Sequence, residues 1–151
     1  MDNFSINKLS KDDIDKAYRF IYVFEKEIKS RYGEFDFNSV DIDKFCHEYK
    51  IKKKERRTTK LTENYFWFDT KKAKGVQNND FAHNLLRHIR NAMAYGNFKK
   101  VRVRKAYYIF EDYNKNKELT MYGKISADLF WKFLNIVLRT NPLMNKNITF
   151  K

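Results

Sequence analysis

The chain has 151 residues, and its 32 lysines and arginines against 19 acidic residues give a formal net charge of +13 at pH 7. Hydrophobic residues make up 42% of the sequence and aromatic residues 17%, which excludes a disordered tail and suffices for one globular core. We therefore expect a single domain over residues 1–151. The positive charge predicts a polyanionic partner, either nucleic acid or an anionic membrane surface.

Several functional classes are disfavoured by what the sequence lacks. Cys46 is the only cysteine, so no internal disulfide can form, which is typical of a reducing cytoplasm. The N-terminal segment is polar, and no run approaches the roughly 18 apolar residues of a membrane span, so we expect a cytoplasmic protein without a membrane partner. The histidines lack metal-ligand spacing and no glycine-rich phosphate loop is present, so we expect neither a metal nor a cofactor.

The first fifty residues predict two helices. Apolar residues recur every three or four positions over residues 12–31, which predicts an amphipathic helix that ends at Gly33. Ser39 is a good N-cap for a second helix that continues to about Tyr49. The apolar stripe that the first helix is expected to bury consists of Ile14, Ala17, Tyr18, Ile21, Phe24 and Ile28.

The next thirty residues alternate between basic, apolar and polar segments. Residues 50–60 are rich in lysine and arginine and predict a basic surface loop or frayed helix end, which is either a phosphate-binding segment or simply solvated. Residues 61–68 are apolar enough to dock on the core, and residues 69–80 predict a polar linker.

The second half predicts two helices with strands between them. The third helix is expected to run from Asn79 or Asp80 to Tyr95, with Gly96 as its C-cap. Ser126 is the expected N-cap of a final helix to about Arg139. Strands are predicted over residues 99–105, 106–113 and 118–125. The predicted fold class is therefore mainly α, a helical bundle with a small antiparallel β-sheet between its last two helices.

The third helix has an unusual polar face. On a helical wheel its apolar sector, opposite that face, consists of Phe81, Leu85, Ile89, Ala92 and Met93. The polar face consists of Asn84, His88, Asn91 and Tyr95, with His83, Arg87 and Arg90 beside them. A solvated helix face usually mixes Glu with Lys, whereas this face contains no acid. Imidazole, guanidinium and amide groups suit binding to phosphate and sugar, although a structural polar seam is the alternative.

This helix resembles the signature helix of the HEPN superfamily, small helical domains common in prokaryotic toxin and antiphage systems. The HEPN signature is an arginine, often followed by Asn, Asp or His, and then, a few residues later, a histidine near the helix end. In the segment HNLLRHIRNAMAYGNF, Arg90 and Asn91 match the first two positions. The segments YYIFEDYN and LTMYGKISADLFWKFL are similar to the sheet and helix that follow this motif in some HEPN families. The resemblance covers roughly residues 64–140.

The resemblance implies a function in toxin–antitoxin or antiviral defence systems. Similar domains are metal-independent endoribonucleases, hydrolases that act as homodimers on RNA. In such a site the motif histidine helps to move the proton of the RNA 2′-OH, which attacks the adjacent phosphate. Arg90 would hold that phosphate, and Asn91 would orient the base or the phosphate. Expected partners are RNA, a second copy of the chain, and an antitoxin or another defence-system protein.

The sequence departs from the HEPN pattern at Tyr95, which occupies the position of the motif histidine. An ordinary phenol has a pKa of about 10, so only about one in a thousand is ionised at pH 7 and tyrosine is a poor base. Three explanations remain open. In the first, Tyr95 is natural and the domain is a non-catalytic RNA-binding or regulatory module. In the second, Tyr95 is a selected or deliberate change that silences a toxic nuclease. In the third, His88 acts in place of the motif histidine. His88 lies within about 20° of Tyr95 on the helical wheel.

The same pattern gives two further expectations. The residues expected to bind RNA phosphate are Arg87, Lys99, Lys100, Arg102 and Arg104. Arg90 and Tyr95 are about 140° apart on a helix, so a site that uses both needs two helices meeting across a two-fold axis. We expect the polar face, with Phe98 nearby, to line that seam. A DNA-binding protein is less consistent with the sequence, which has no helix-turn-helix pattern.

Overall fold

The computed structural model describes residues 5–7, 9–31, 34–36, 39–54, 64–68 and 81–151. Within these ranges the chain forms four α-helices and six β-strands. A π-helical segment, Phe24–Ile28, continues the first helix. The elements in chain order are β1 (Ser5–Asn7), α1 (Lys11–Val23), α2 (Val40–Tyr49), β2 (Ile51–Lys54), β3 (Asn64–Phe68), α3 (Phe81–Ala94), β4 (Phe98–Val103), β5 (Lys105–Tyr113), β6 (Leu119–Ser126) and α4 (Ala127–Arg139).

The strands form one mixed sheet in the order β1-β4-β5-β6-β3-β2. All neighbouring pairs are antiparallel except β2 and β3, which are parallel. The prediction of a helical bundle with a small sheet between the last two helices is therefore wrong. Three strands join the predicted hairpins from earlier parts of the chain, and the sheet is a full layer of the fold.

The missed strands share a physical reason: none of them has a run of about four or more residues that alternates between apolar and polar, the pattern that marks a half-buried strand. β1 has only three residues, and β3 is a continuous polar-to-aromatic run, NYFWF. β2 has the sequence IKKK and lies inside the segment predicted as a basic loop. Ile51 is buried at the start of β2. Residues 55–60 of the basic segment lie outside the described residues, as do the predicted helix end at Gly33 and the predicted linker over residues 69–80.

The main core lies between the helices and one face of the sheet. All four helices of the described ranges contribute to it, and the strands contribute inward residues such as Phe66, Phe110 and Ile125. Val101, Tyr107 and Ile109 alternate with these inward positions and form a separate cluster on the opposite face. The helices therefore cover the same face of the sheet, and the architecture is a two-layer α+β fold.

α1 is rotated relative to the predicted stripe. Ile14 and Tyr18 are exposed, whereas Asp13 and Phe20 are buried. Asp13 completes a capping box with Ser10, and its carboxylate also accepts hydrogen bonds from Lys100 Nζ (3.1 Å) and the Tyr108 hydroxyl. Burial alone would raise the pKa of Asp13, but these hydrogen bonds outweigh burial and the net shift is downward. One acid thus begins α1 and fastens it to β4 and β5.

The end of α3 agrees with the prediction. Gly96 has a φ of +76°, its N–H donates to Met93 O (3.4 Å), and the Asn97 N–H donates to Ala92 O (2.7 Å). This pair of bonds is a Schellman motif, which needs the left-handed conformation that glycine adopts without strain. The motif ends the helix at the predicted position and turns the chain into β4.

The other two predicted caps have different outcomes. Ser39 caps α2 as predicted, since its side chain accepts from the Ile42 N–H. Ser126 precedes α4 as predicted, but its side chain makes no capping bond, and its own N–H donates to Asn64 Oδ1 (2.8 Å). Across the described residues, every helix is too short or too polar to cross a membrane.

Candidate functional site

The polar face predicted on α3 lies largely inside the protein. His83, Asn84 and His88 are buried, and the side chain of His88 is only 3% exposed. Arg90 and Asn91 are partly exposed. The face contains no acid of its own, but carboxylates from two neighbouring elements reach it, Asp112 from β5 and Glu25 from the π-helical segment. In the first two turns of α3 the polar face is therefore a structural polar seam, the alternative that the sequence left open.

Asp112 is the centre of a buried hydrogen-bond network. Its Oδ2 lies 2.7 Å from His88 Nδ1 and accepts a hydrogen bond from Asn91 Nδ2 at 3.0 Å. Its Oδ1 accepts from the backbone N–H of Tyr113 at 2.9 Å. Both carboxylate oxygens of a residue that is 5% exposed are thus occupied. Such satisfaction is required, because a buried carboxylate without partners is strongly destabilising.

The network determines the protonation of His88. Arg87 Nη2 lies 3.2 Å from His88 Nε2, and a guanidinium can only donate, so Nε2 is the acceptor and Nδ1 carries the proton that Asp112 accepts. Burial lowers the pKa of His88, and the nearby Arg87 charge lowers it further, while Asp112 acts in the opposite direction without reversing the shift. His88 is therefore a neutral imidazole with both nitrogens engaged, a poor substitute for the motif histidine.

Arg90 joins this network to the protein surface. Its Nη1 donates to Asn91 Oδ1 at 3.1 Å, and its Nη2 pairs with Glu25 Oε1 at 3.0 Å. Its Nε is buried and has no hydrogen-bond acceptor within the described part of the chain. The Arg90 side chain remains 24% exposed. The guanidinium is thus held in place on one side while its other side binds an anionic group.

Two of these residues were not predicted from sequence. Asp112 had a detectable signal, because it follows Tyr108 and Phe110 at alternate positions of β5 and therefore points inward. An acid at an inward strand position requires partners, which α3 supplies. Glu25 had no comparable signal, since its meeting with Arg90 depends on how the π-helical segment packs on α3.

Tyr95 lies apart from the buried network at the end of α3, with 70% of its surface exposed. A mainly apolar groove of about 200 Å³ lies beside it, between α1 and the end of α3. Tyr18 and Tyr22 on α1 are also exposed. The groove is lined by Leu9, Ile14, Ala17, Tyr18, Ile21, Met93, Gly96 and Phe98. Gly96, which follows Tyr95 in the sequence, thus belongs to an apolar groove that also includes Phe98 and the exposed Tyr18.

The residues expected to bind RNA phosphate fall into two groups. Lys100 is bound to the buried Asp13, Lys99 pairs with Glu111 at 3.1 Å, and Arg87 contacts His88. These three side chains have protein partners that an RNA phosphate would have to displace or share. Arg102 and Arg104 are exposed at the end of β4 and just after it. They are the better placed pair for a phosphate contact.

We predict that His88 makes the stability of the fold depend on pH. Because folding lowers the pKa of His88, the unfolded chain binds more protons below about pH 6.5, so the contribution is complete above that pH and is lost as the pH falls. The free energy of unfolding by urea should fall between about pH 7 and 5, with a slope of at most about 1.4 kcal/mol per unit for one proton.

The matched variant for this prediction is His88→Gln, whose amide does not titrate. Asp13 does not interfere, because its lowered pKa places its own effect below pH 3.8. The variant should lose the part of the slope between pH 7 and 5 that His88 contributes, even if it is less stable throughout. An unchanged slope in His88→Gln would contradict the assignment of a buried neutral imidazole.

The comparisons with known proteins identify the family of this chain. The family model described as HEPN pEK499 p136 matches residues 14–145. No curated protein and no solved structure matches the chain. The matched range includes all six residues that form or contact the network around Arg90: Glu25, Arg87, His88, Arg90, Asn91 and Asp112. Because the match spans well over half of the sequence, the chain belongs to the HEPN family that the pEK499 p136 model describes.

Proposed function

We propose that this protein is a HEPN-type endoribonuclease of the toxin or antiphage class whose RNA site is retained and whose cleavage is silenced by Tyr95. The observation that carries the proposal is the set of contacts that the Arg90 guanidinium makes. Its guanidinium is held by Asn91 and binds a carboxylate at the protein surface. Guanidinium groups bind carboxylate and phosphate with the same planar donor geometry. Arg90 is therefore an anion site at the motif position of a HEPN domain.

Glu25 supports this interpretation because it acts as an internal anion. Its Oε1 accepts from Arg90, and its other oxygen accepts from Lys29 Nζ at 3.3 Å. The Glu25 side chain is 38% exposed, so the ion pair is partly screened by solvent and can be exchanged for another anion. An RNA phosphate that replaces Glu25 would meet a guanidinium that Asn91 already orients. Arg102 and Arg104 would hold further phosphates by charge.

The chemistry proposed for the active form of the site needs only RNA and protein groups. With histidine at position 95, the imidazole takes the proton of a 2′-OH, and the O2′–P bond forms as the P–O5′ bond breaks. The products are a 2′,3′-cyclic phosphate and a 5′-hydroxyl, whose oxygen takes up a proton. Arg90 stabilises the charge that develops on the phosphate. Tyr95 leaves RNA binding in place and removes the base.

We propose that the site is completed by a second copy of the chain. The groove between α1 and α3 is lined by the exposed apolar side chains of Ile14 and Tyr18 and by Gly96, the neighbour of the exposed Tyr95 in the sequence. Exposed apolar surface of this kind often marks an interface. A two-fold interface here uses the same patch on both chains. It would bring position 95 of one chain toward Arg90 of the other. Within one helix these two positions are about 140° apart and do not favour a shared site.

The nuclease proposal predicts that Tyr95→His gains activity. The variant should cleave single-stranded or loop RNA in the presence of EDTA, leave a cyclic phosphate, and become toxic on expression. Tyr95 is exposed, so the substitution should not disturb folding. Tyr95→Phe is the matched control and should remain inactive, and DNA of the same sequence should remain uncut because it lacks the 2′-OH.

Two results would count against this proposal. Cleavage that EDTA abolishes would indicate a different chemistry. A folded Tyr95→His protein that binds RNA but never cleaves it would favour the non-catalytic RNA-binding module. The proposed role of Arg90 also requires that a double variant carrying Tyr95→His and Arg90→Ala no longer cleaves RNA.

The interface proposal predicts a dimer of about twice 18.4 kDa in sedimentation at micromolar concentration. Tyr18→Glu should yield a folded monomer, because it puts a charge into the centre of the interface while leaving the core intact. Leu143→Glu is the matched control, since Leu143 is an exposed apolar residue in the segment after α4. A monomeric unmodified protein, or a dimer equally resistant to both substitutions, would contradict the interface.

A further inference from the structure

We infer that Asp112 is a positioning residue of the Arg90 site, which it orients through Asn91. The inference rests on the proposed function, because it assigns the residue that prepares the same anion site. Arg90 donates to Asn91 Oδ1, and Asn91 Nδ2 donates to Asp112 Oδ2. A continuous series of hydrogen bonds thus leads from a buried strand residue to a partly exposed guanidinium.

The amide of Asn91 is the reason that Asp112 matters. An asparagine side chain has a donor end and an acceptor end, and it can turn over to exchange them. Asp112 can only accept when ionised, so it selects the orientation in which Asn91 Nδ2 faces β5 and Oδ1 faces Arg90. In the other orientation the NH₂ group would face the guanidinium, and two donors would meet.

The backbone around Asp112 holds its carboxylate in place. Asp112 pairs with Met121 and Tyr113 pairs with Leu119, so the register shifts by one residue at this point and Thr120 is extra on β6. The Tyr113 N–H donates to Asp112 Oδ1 and so holds the carboxylate itself. The Thr120 hydroxyl donates at 3.1 Å to the backbone carbonyl oxygen of Asp112 and makes no bond to the carboxylate. β-Bulges are frequent beside functional sites, where they redirect a side chain. Here the irregularity lies at the residue whose side chain reaches α3.

An asparagine cannot replace Asp112 without loss. The carboxylate accepts at both oxygens, from His88 and Asn91 on one side and from Tyr113 on the other. Asn at position 112 offers one acceptor and one donor, so one side would face donor against donor. Asp112→Asn therefore changes the polarity of the network while it keeps the shape of the side chain.

The test measures the dissociation constant for a short single-stranded RNA at one fixed salt concentration. Asp112→Asn should weaken binding about tenfold, as expected when the guanidinium loses an ordered charge-assisted hydrogen bond. Thr120→Val is the matched control, because it removes a buried hydrogen bond to the backbone of the same residue and leaves the carboxylate unchanged. It should bind RNA within about twofold of the unmodified protein.

A double-mutant cycle distinguishes positioning from general destabilisation. If Asp112 acts through Asn91, then Asp112→Asn should cause no additional loss of RNA affinity in a protein that already carries Asn91→Ala. Equal losses in the presence and absence of Asn91 would overturn the inference, as would binding by Asp112→Asn that equals that of Thr120→Val.

Arg90→Ala separates this inference from the proposed function. If Arg90→Ala abolishes RNA binding while Asp112→Asn does not weaken it, the positioning role is wrong and the proposed function stands. If Arg90→Ala has no effect, the anion site and the inference fail together. Should Asp112→Asn not fold, hydrogen exchange of the Asn91 side-chain amide in the unmodified protein is decisive. It should be slower than that of the exposed Asn116, and equally fast exchange would overturn the inference.

Discussion

The arrangement of the site depends on one buried carboxylate. Asp112 reaches α3 from β5 and accepts hydrogen bonds from His88 and Asn91, so the helix can pack on the sheet only with these side chains turned inward. That rotation brings Arg90 to the π-helical segment, where it meets Glu25. A buried carboxylate without hydrogen-bond donors strongly destabilises a protein. Folding therefore requires the orientation of α3 in which His88 and Asn91 reach Asp112. Stability and the geometry of the anion site therefore share the same contacts.

The sequence predicted those parts of the fold whose signals are local. α3, its end at Gly96, the β5–β6 hairpin and α4 follow from apolar periodicity and turn residues, and all are present. The three strands that widen the sheet were missed, because their pairing joins segments far apart in the sequence. In the lysine-rich β2, composition argued against a strand, and pairing with β3 outweighed it. The stripe on α1 was misplaced for a related reason, since Asp13 is buried only through its contacts with β4 and β5.

Only the α3 residues of the site, and not the acids that contact them, could be predicted from the sequence. Arg90 and Asn91 are adjacent in a recognisable motif, whereas the acids that give them an orientation come from elements 21 and 65 positions away from Asn91 and Arg90, respectively. The helical wheel identified the unusual composition of the α3 face but placed the whole face opposite the core, whereas His83, Asn84 and His88 are buried. It also grouped His88 with Tyr95, although burial now separates them, and it assigned Lys100 to RNA although Asp13 binds it. The absence of an acid on this face indicated that its polar residues need carboxylate partners from other elements of the fold, and not only an external ligand.

The most direct test of the anion site is the RNA affinity of Glu25→Gln measured beside Glu27→Gln. Both variants remove one negative charge from the same segment, but Glu27 pairs with Arg31 and only Glu25 contacts Arg90. If Glu25 occupies the phosphate position, Glu25→Gln should bind single-stranded RNA several-fold more tightly than Glu27→Gln, and the difference should vanish in an Arg90→Ala background. Equal affinities of the two variants, or a difference that persists without Arg90, would contradict the account.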